Sequence, residues 1–178
     1  MNPSEILQKY YDQKSELYKI LLHHSQSVAQ KALEIAQKNP QENFDLTFVE
    51  EAAMLHDIGI FLTNAPKIFC FGEKPYICHG YLGSELLQKE GLPKHALVCE
   101  RHTGTGISLK QITEENLPLP LRDMLPISPE EQLICYADKF FSKSQLKKEH
   151  SIDEIRKSLF KFGAETLARF GIWNERWG

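Results

Sequence analysis

The chain has 178 residues, 42 % of them hydrophobic and 25 % charged, enough apolar matter for one core of ordinary domain size and too much for a disordered coil. A net charge of −3 lacks the basic footprint that long nucleic acids require, although a small phosphate ligand needs only a few local cations. No apolar stretch reaches the length of a membrane span, and the polar opening residues hold no secretory h-region, so a cytoplasmic protein without a membrane partner is expected. The cysteines Cys70, Cys78, Cys99 and Cys135 form no C-x-x-C pair, which argues against a thiolate zinc site and predicts reduced thiols.

Helix signals recur along the chain and strand signals are poor, so the expected fold is all-α, a single-domain helical bundle. Asn2-Pro3 caps a short first helix. A longer one is predicted over residues 15–38, on a stripe of Leu17, Leu21, Val28, Ala32 and Ile35, and Asn39-Pro40 stops it. Thr47 and Glu50 form a capping box for the next helix, with Gly59 placed as its C-terminal cap. Residues 61–77 hold Asn64, Pro66, Gly72 and Pro75 without helical period and read as a loop or lid. Further helices are predicted over 79–90, 93–102, briefly 109–115, 128–141 and 151–170. The strongest start is Ser128-Pro129-Glu130-Glu131, which combines a capping box with proline at the first helical position.

Imidazoles and carboxylates fall on the apolar stripes of these helices. His24 lies between Leu21 and Val28, His56 one turn after Ala52 and Ala53, and His79 on a face with Leu82 and Leu86. His102 follows Val98 and Cys99 by one turn, and Asp138 sits among Ile134, Ala137 and Phe141. One inward histidine is commonly a core residue. Five segments each aiming such a group inward, with Asp57 added beside His56, are different, because buried charges need pairing or a metal. His23, His95 and His150 read as surface, peripheral and solvated. A mixed His/Asp set without thiolate suits iron, manganese, zinc, nickel or cobalt.

The order His24, His56-Asp57, Asp138 resembles the H…HD…D signature of the HD superfamily of metal-dependent phosphohydrolases, and His56-Asp57-Ile58-Gly59 is its HDIG form. His79-Gly80 and Arg101-His102-Thr103-Gly104 resemble the two added histidines of family members that hold two or more metals. Glu90-Gly91-Leu92-Pro93 followed by Glu100-Arg101-His102 is similar to small stand-alone HD proteins and to HD-type diadenosine tetraphosphate hydrolases. The resemblance spans about 17–141 of a single domain over 1–178, leaving a C-terminal helix and tail at about 151–178 outside it.

The resemblance implies an all-helical HD bundle with two divalent ions. His24, His56, Asp57 and Asp138 would hold one ion; Asp57 would bridge to a second held by His79 and His102. His56 and Asp57 are the implied catalytic pair, working with a metal-activated water on a small phosphorylated substrate, a nucleotide by preference. Lys67, Lys74, Arg101 and Lys139 are candidate phosphate donors. The amides of residues 103–106 could receive an oxyanion, and Phe61, Phe69, Phe71 and Tyr76 could cover a base. Two other functions suit the same ligands, a di-iron oxygenase and a non-catalytic nucleotide sensor. The oligomeric state stays open.

Overall fold

The longest apolar stripe becomes the longest helix. In the computed structural model, which describes residues 1–178, α2 (Glu16–Lys38) follows a short α1 (Pro3–Tyr10). Ser15 caps α2 by accepting the Tyr18 amide at 3.1 Å. The next helix, α3 (Leu46–Leu55), starts earlier than the Thr47–Glu50 box predicts. Asp45 is its cap and accepts the Phe48 amide at 3.0 Å. Aspartate is the stronger cap and its charge complements the positive helix end, so Thr47 falls inside the first turn.

Residues 61–77, expected as a loop or lid, carry short regular elements. Strands β1 (Thr63–Ala65), β2 (Cys70–Phe71) and β3 (Lys74–Pro75) form a small sheet in the order β2-β1-β3, with β1 antiparallel to β2 and parallel to β3. Strands of two or three residues are too short to display a period of two. Then come α4 (His79–Lys89), α5 (Pro93–Arg101), α6 (Leu109–Glu114) and α7 (Pro129–Asp138). The single C-terminal helix predicted over 151–170 is two helices, α8 (Ile152–Phe160) and α9 (Ala164–Trp177). Gly163 separates them at φ +96°, a conformation that an L side chain resists. No helix is long and apolar enough to cross a membrane.

Two large cores organise most of these elements, and a smaller cluster of Cys78, Ile107, Ile112, Leu119 and Met124 holds α6. One large core gathers α2, α3, α7, α8 and α9 around Val28, Ala32, Val49, Leu133, Phe170 and Trp173. The C-terminal segment, placed by the sequence outside the familiar region, therefore contributes to the main core. Burying a side chain such as Phe170 contributes roughly 1.5–3 kcal/mol. The second core gathers α1, α4, α5 and the start of α2 around Leu7, Tyr18, Leu21, Leu87 and Ala96. Three helices belong to both. On α2, Leu21 faces the second core and Val28 the first; Leu55 and Ala53 divide likewise on α3, and Cys99 and Val98 on α5. His24, His56 and His102 stand at or just beyond these junctions, so the boundary between the two cores is where the polar groups converge.

Candidate metal centre

Asp57 is fully buried and its two oxygens face different partners. Oδ2 lies 3.1 Å from His24 Nε2 and 3.1 Å from His56 Nε2. Oδ1 lies 3.4 Å from both His79 Nε2 and His102 Nε2. Asp138 Oδ1 completes the first group, 3.0 Å from His24 and 3.5 Å from His56. The ligand atoms of His24, His56, Asp57 and Asp138 all lie within 4.8 Å of one another, as do those of Asp57, His79 and His102. All six residues proposed from the sequence are thus brought together, with Asp57 shared.

Three histidines are oriented by backbone carbonyls just upstream in the chain. His56, His79 and His102 each place Nδ1 at 2.6–2.7 Å from the carbonyl three residues earlier, of Ala53, Tyr76 and Cys99. A proton on Nδ1 donated to that carbonyl leaves the Nε2 lone pair toward the centre, the usual outer hydrogen bond of a ligating histidine. The second pair is joined to the first by close backbone packing. A Cβ at Gly59 would stand 2.3 Å from the His79 carbonyl oxygen and 2.4 Å from the Gly83 amide nitrogen. Gly59 itself has φ −85°, so it is not the left-handed cap expected from the sequence. Its task is to let the HD turn touch α4, which places His79 beside Asp57.

These residues fit a divalent ion. His24 Nδ1 and Nε2, His56 Nε2 and both Asp57 oxygens are buried without a hydrogen-bond partner, despite their short approaches. His79 Nε2 and His102 Nε2 face each other at 3.0 Å; if both rings donate through Nδ1, two lone pairs oppose each other. Orphaned polar atoms on this scale are costly in a dry interior, and a cation relieves those that are acceptors.

Charge divides the two groups. Burial pushes His56 down, but Asp57 and Asp138 outweigh it and raise its pKa to about 9. Burial pushes Asp57 up, and Lys143 first, then His56, hold it well below the usual carboxylate range. Asp138 is held low against burial by Lys139, aided by His24 and His56. In the second group burial dominates: it takes His79 to about 3, with Asp57 only partly opposing, and lowers His102 as well.

A cleft of about 850 Å³ opens onto the cluster, with Tyr76, His79, Asp138, Lys139 and Lys143 in its wall. Lys67 lines it too, as do Thr103, Gly104 and Gly106 of the proposed oxyanion turn. Arg101 and Lys74 do not. Arg101 is drawn aside by Glu131, 2.9 Å away, and Lys74 is an exposed residue of β3. Of the proposed base-covering aromatics, Tyr76 stacks on His79 with centroids 4.7 Å apart, while Phe61 packs edge-on against Tyr11. Phe69 and Phe71 are exposed. His95 lies near Glu51 and Phe48, away from the cluster. His150 is half-buried in the cleft wall rather than solvated. Lys143 was not foreseen. It follows the end of α7, where helical spacing stops informing on direction.

With this geometry in view, residues 21–142 match the HD domain family, and the chain belongs to that family. It is 33 % identical over 145 residues to an uncharacterized protein of Methanocaldococcus jannaschii, across 79 % of this chain and 78 % of that protein. It is 30 % identical over 151 residues to a tRNA (cytidine(56)-2'-O)-methyltransferase of Thermoplasma volcanium, across 84 % of this chain and 40 % of that protein. A protein of the same name from Picrophilus torridus is 30 % identical over 128 residues, and the match covers 33 % of its length. The chain thus spans less than half of these two named relatives. No solved structure matches it significantly.

Proposed function

We propose that this HD protein is a metal-dependent phosphohydrolase that cleaves a phosphate ester or anhydride of a small substrate, a nucleotide foremost. The observation that carries the reading is Asp57: one buried carboxylate divides its oxygens between two imidazole groups, and ammonium groups flank the cluster on its cleft side. His24, His56, Asp57 and Asp138 would hold one divalent ion, and Asp57, His79 and His102 a second. Such ions supply an acidified water and counter-charge for phosphoryl oxygens. The protein's own residues set the conditions for that chemistry. The carbonyls of Ala53, Tyr76 and Cys99 fix three imidazoles in the ligating tautomer. His24, His56 and Asp57 are at most 1 % exposed, so the substrate reaches the cluster from the cleft alone. The cleft's volume lies within the range of small-molecule pockets and suits a nucleotide.

The same ligand set serves a di-iron oxygenase, but cations beside both carboxylates favour an anionic substrate. More than half of each named methyltransferase lies outside the match, so methyl transfer is not carried over to this chain. The test pairs elemental analysis of protein purified without added metal with a phosphate-release screen. The screen covers nucleotides and simple phosphate esters under manganese, iron, cobalt and nickel. Close to two equivalents of metal and release from one substrate class are expected. Bound iron with no release under any metal would replace this reading by the oxygenase.

A further inference from the structure

Lys143 stands one residue beyond the family match and five beyond Asp138, yet it reaches back into the cluster. Its Nζ lies 2.5 Å from Asp57 Oδ2 and its side chain is 12 % exposed. The Tyr76 ring is 5.9 Å away. Two other cleft ammonium groups are committed elsewhere. Lys139 Nζ lies 2.7 Å from Asp138 Oδ2 and donates to the His102 carbonyl at 3.2 Å. Lys148 pairs with Glu154 at 2.5 Å. The shared carboxylate is the one acid paired with Lys143, and Tyr76 adjoins the ammonium, which leaves one of its three N–H donors for another partner.

A purely structural role explains this lysine poorly. A buried ion pair rarely repays the desolvation of its two charges. Here the partner is also the oxygen that faces His24 and His56, where a divalent ion would bind. Ammonium and dication on one carboxylate oxygen repel each other, and an anion lying between them converts that repulsion into attraction. Outside the cluster, Lys67, Lys143, Lys147 and Lys148 border an adjoining hollow at the surface. No acidic residue lines that hollow, and such a local surplus of one sign of charge draws anions toward the cluster.

We infer that Lys143 is the phosphoryl anchor of this site, its ammonium taking a non-bridging oxygen of a terminal phosphate that enters through the cleft. The inference rests on the phosphohydrolase reading and narrows it. Because the cluster is reached from one side, the group it takes is a phosphate at the end of a substrate, not one inside a continuous chain.

The experiment uses manganese-loaded full-length protein, with inorganic phosphate as the probe in calorimetry and elemental analysis alongside. Lys143→Met is expected to keep the wild-type metal content and to weaken phosphate binding about tenfold or more, the weight of one charge-assisted hydrogen bond. In turnover it raises KM more than it lowers kcat, and Lys143→Arg recovers part of the affinity. Lys143→Gln replaces Lys143→Met if the latter does not fold. Undiminished phosphate affinity in the neutral variant overturns the inference. Loss of metal in step with phosphate also overturns it, because Lys143 then only positions Asp57. Wild-type turnover with an indifferent Lys143 variant removes the anchor alone. A metal-loaded wild type that neither binds phosphate nor releases it from any ester removes the phosphohydrolase reading as well.

Discussion

Asp57 faces two unlike neighbourhoods. On its Oδ2 side are two histidines, a second carboxylate and the ammonium of Lys143, and there His56 is held at about 9. On its Oδ1 side are two histidines without a second acid, and there His79 is held at about 3. The residue type is the same, and the burial is similar. What differs is the local count of carboxylates, because desolvation opposes charge on every imidazole and only nearby anions offset it. The first group is an ionic cluster balanced by its own protons and lysines. The second is a neutral pair of imidazoles that depends on Asp57 for charge.

The comparison is broken most completely at the residue the two sides share. Asp57→Asn is expected to lose both ions and to lower phosphate release on the order of 10³-fold, the scale of about 4 kcal/mol in the barrier. Elemental analysis with the release assay checks this, and a variant retaining full metal content would end the bridging assignment. Gly59→Ala strikes the junction between the groups. The added methyl meets α4 backbone that has little room to move, so a loss of about 1–3 kcal/mol in stability is expected. The second ion should be lost preferentially. Thermal denaturation and metal content read the two effects together.

His79→Ala and His102→Ala sharpen the contrast. Each should remove one equivalent of metal and leave the first group loaded, with the helical circular dichroism unchanged. Unaltered stoichiometry in both would return these histidines to the core.

The smallest effect is in proton release. Below about pH 9 the metal-free first group carries a proton on His56 that an ion must displace. First-ion affinity should therefore fall about tenfold for each unit of pH lowered below that value. His79 is already neutral at pH 7, so the second ion should release no proton from it. Calorimetry in buffers of different ionisation enthalpy separates the two, and equal release by both ions would contradict the charge difference.

Much of the site was legible because its residues break a pattern. His24 and Asp138 are polar groups on apolar stripes, and a helix with spacing near 3.6 residues states which way each side chain points. Lys143 was not legible. It lies beyond the end of α7, where no period relates it to Asp138, and its approach to Asp57 depends on the path of the following turn. Arg101 was misplaced for a related reason. It adjoins His102 in sequence, yet one residue is 100° around a helix, and that carries it to Glu131. The cap of α3 was misread because two plausible caps lie two residues apart. The small sheet was missed because its strands are shorter than any detectable alternation.

By itself the sequence determined the helical class, the six inward candidate residues of the site and their order, since local periodicity and the cost of burying polar groups act through neighbours in the chain. The family resemblance had implied that Asp57 is shared; only the tertiary structure decided which oxygen faces which group, that Gly59 permits the contact bringing His79 to it, and that Lys143 returns to the cluster. Those three depend on distances between segments far apart in the chain, and such distances follow from how two cores pack against one another rather than from any local pattern.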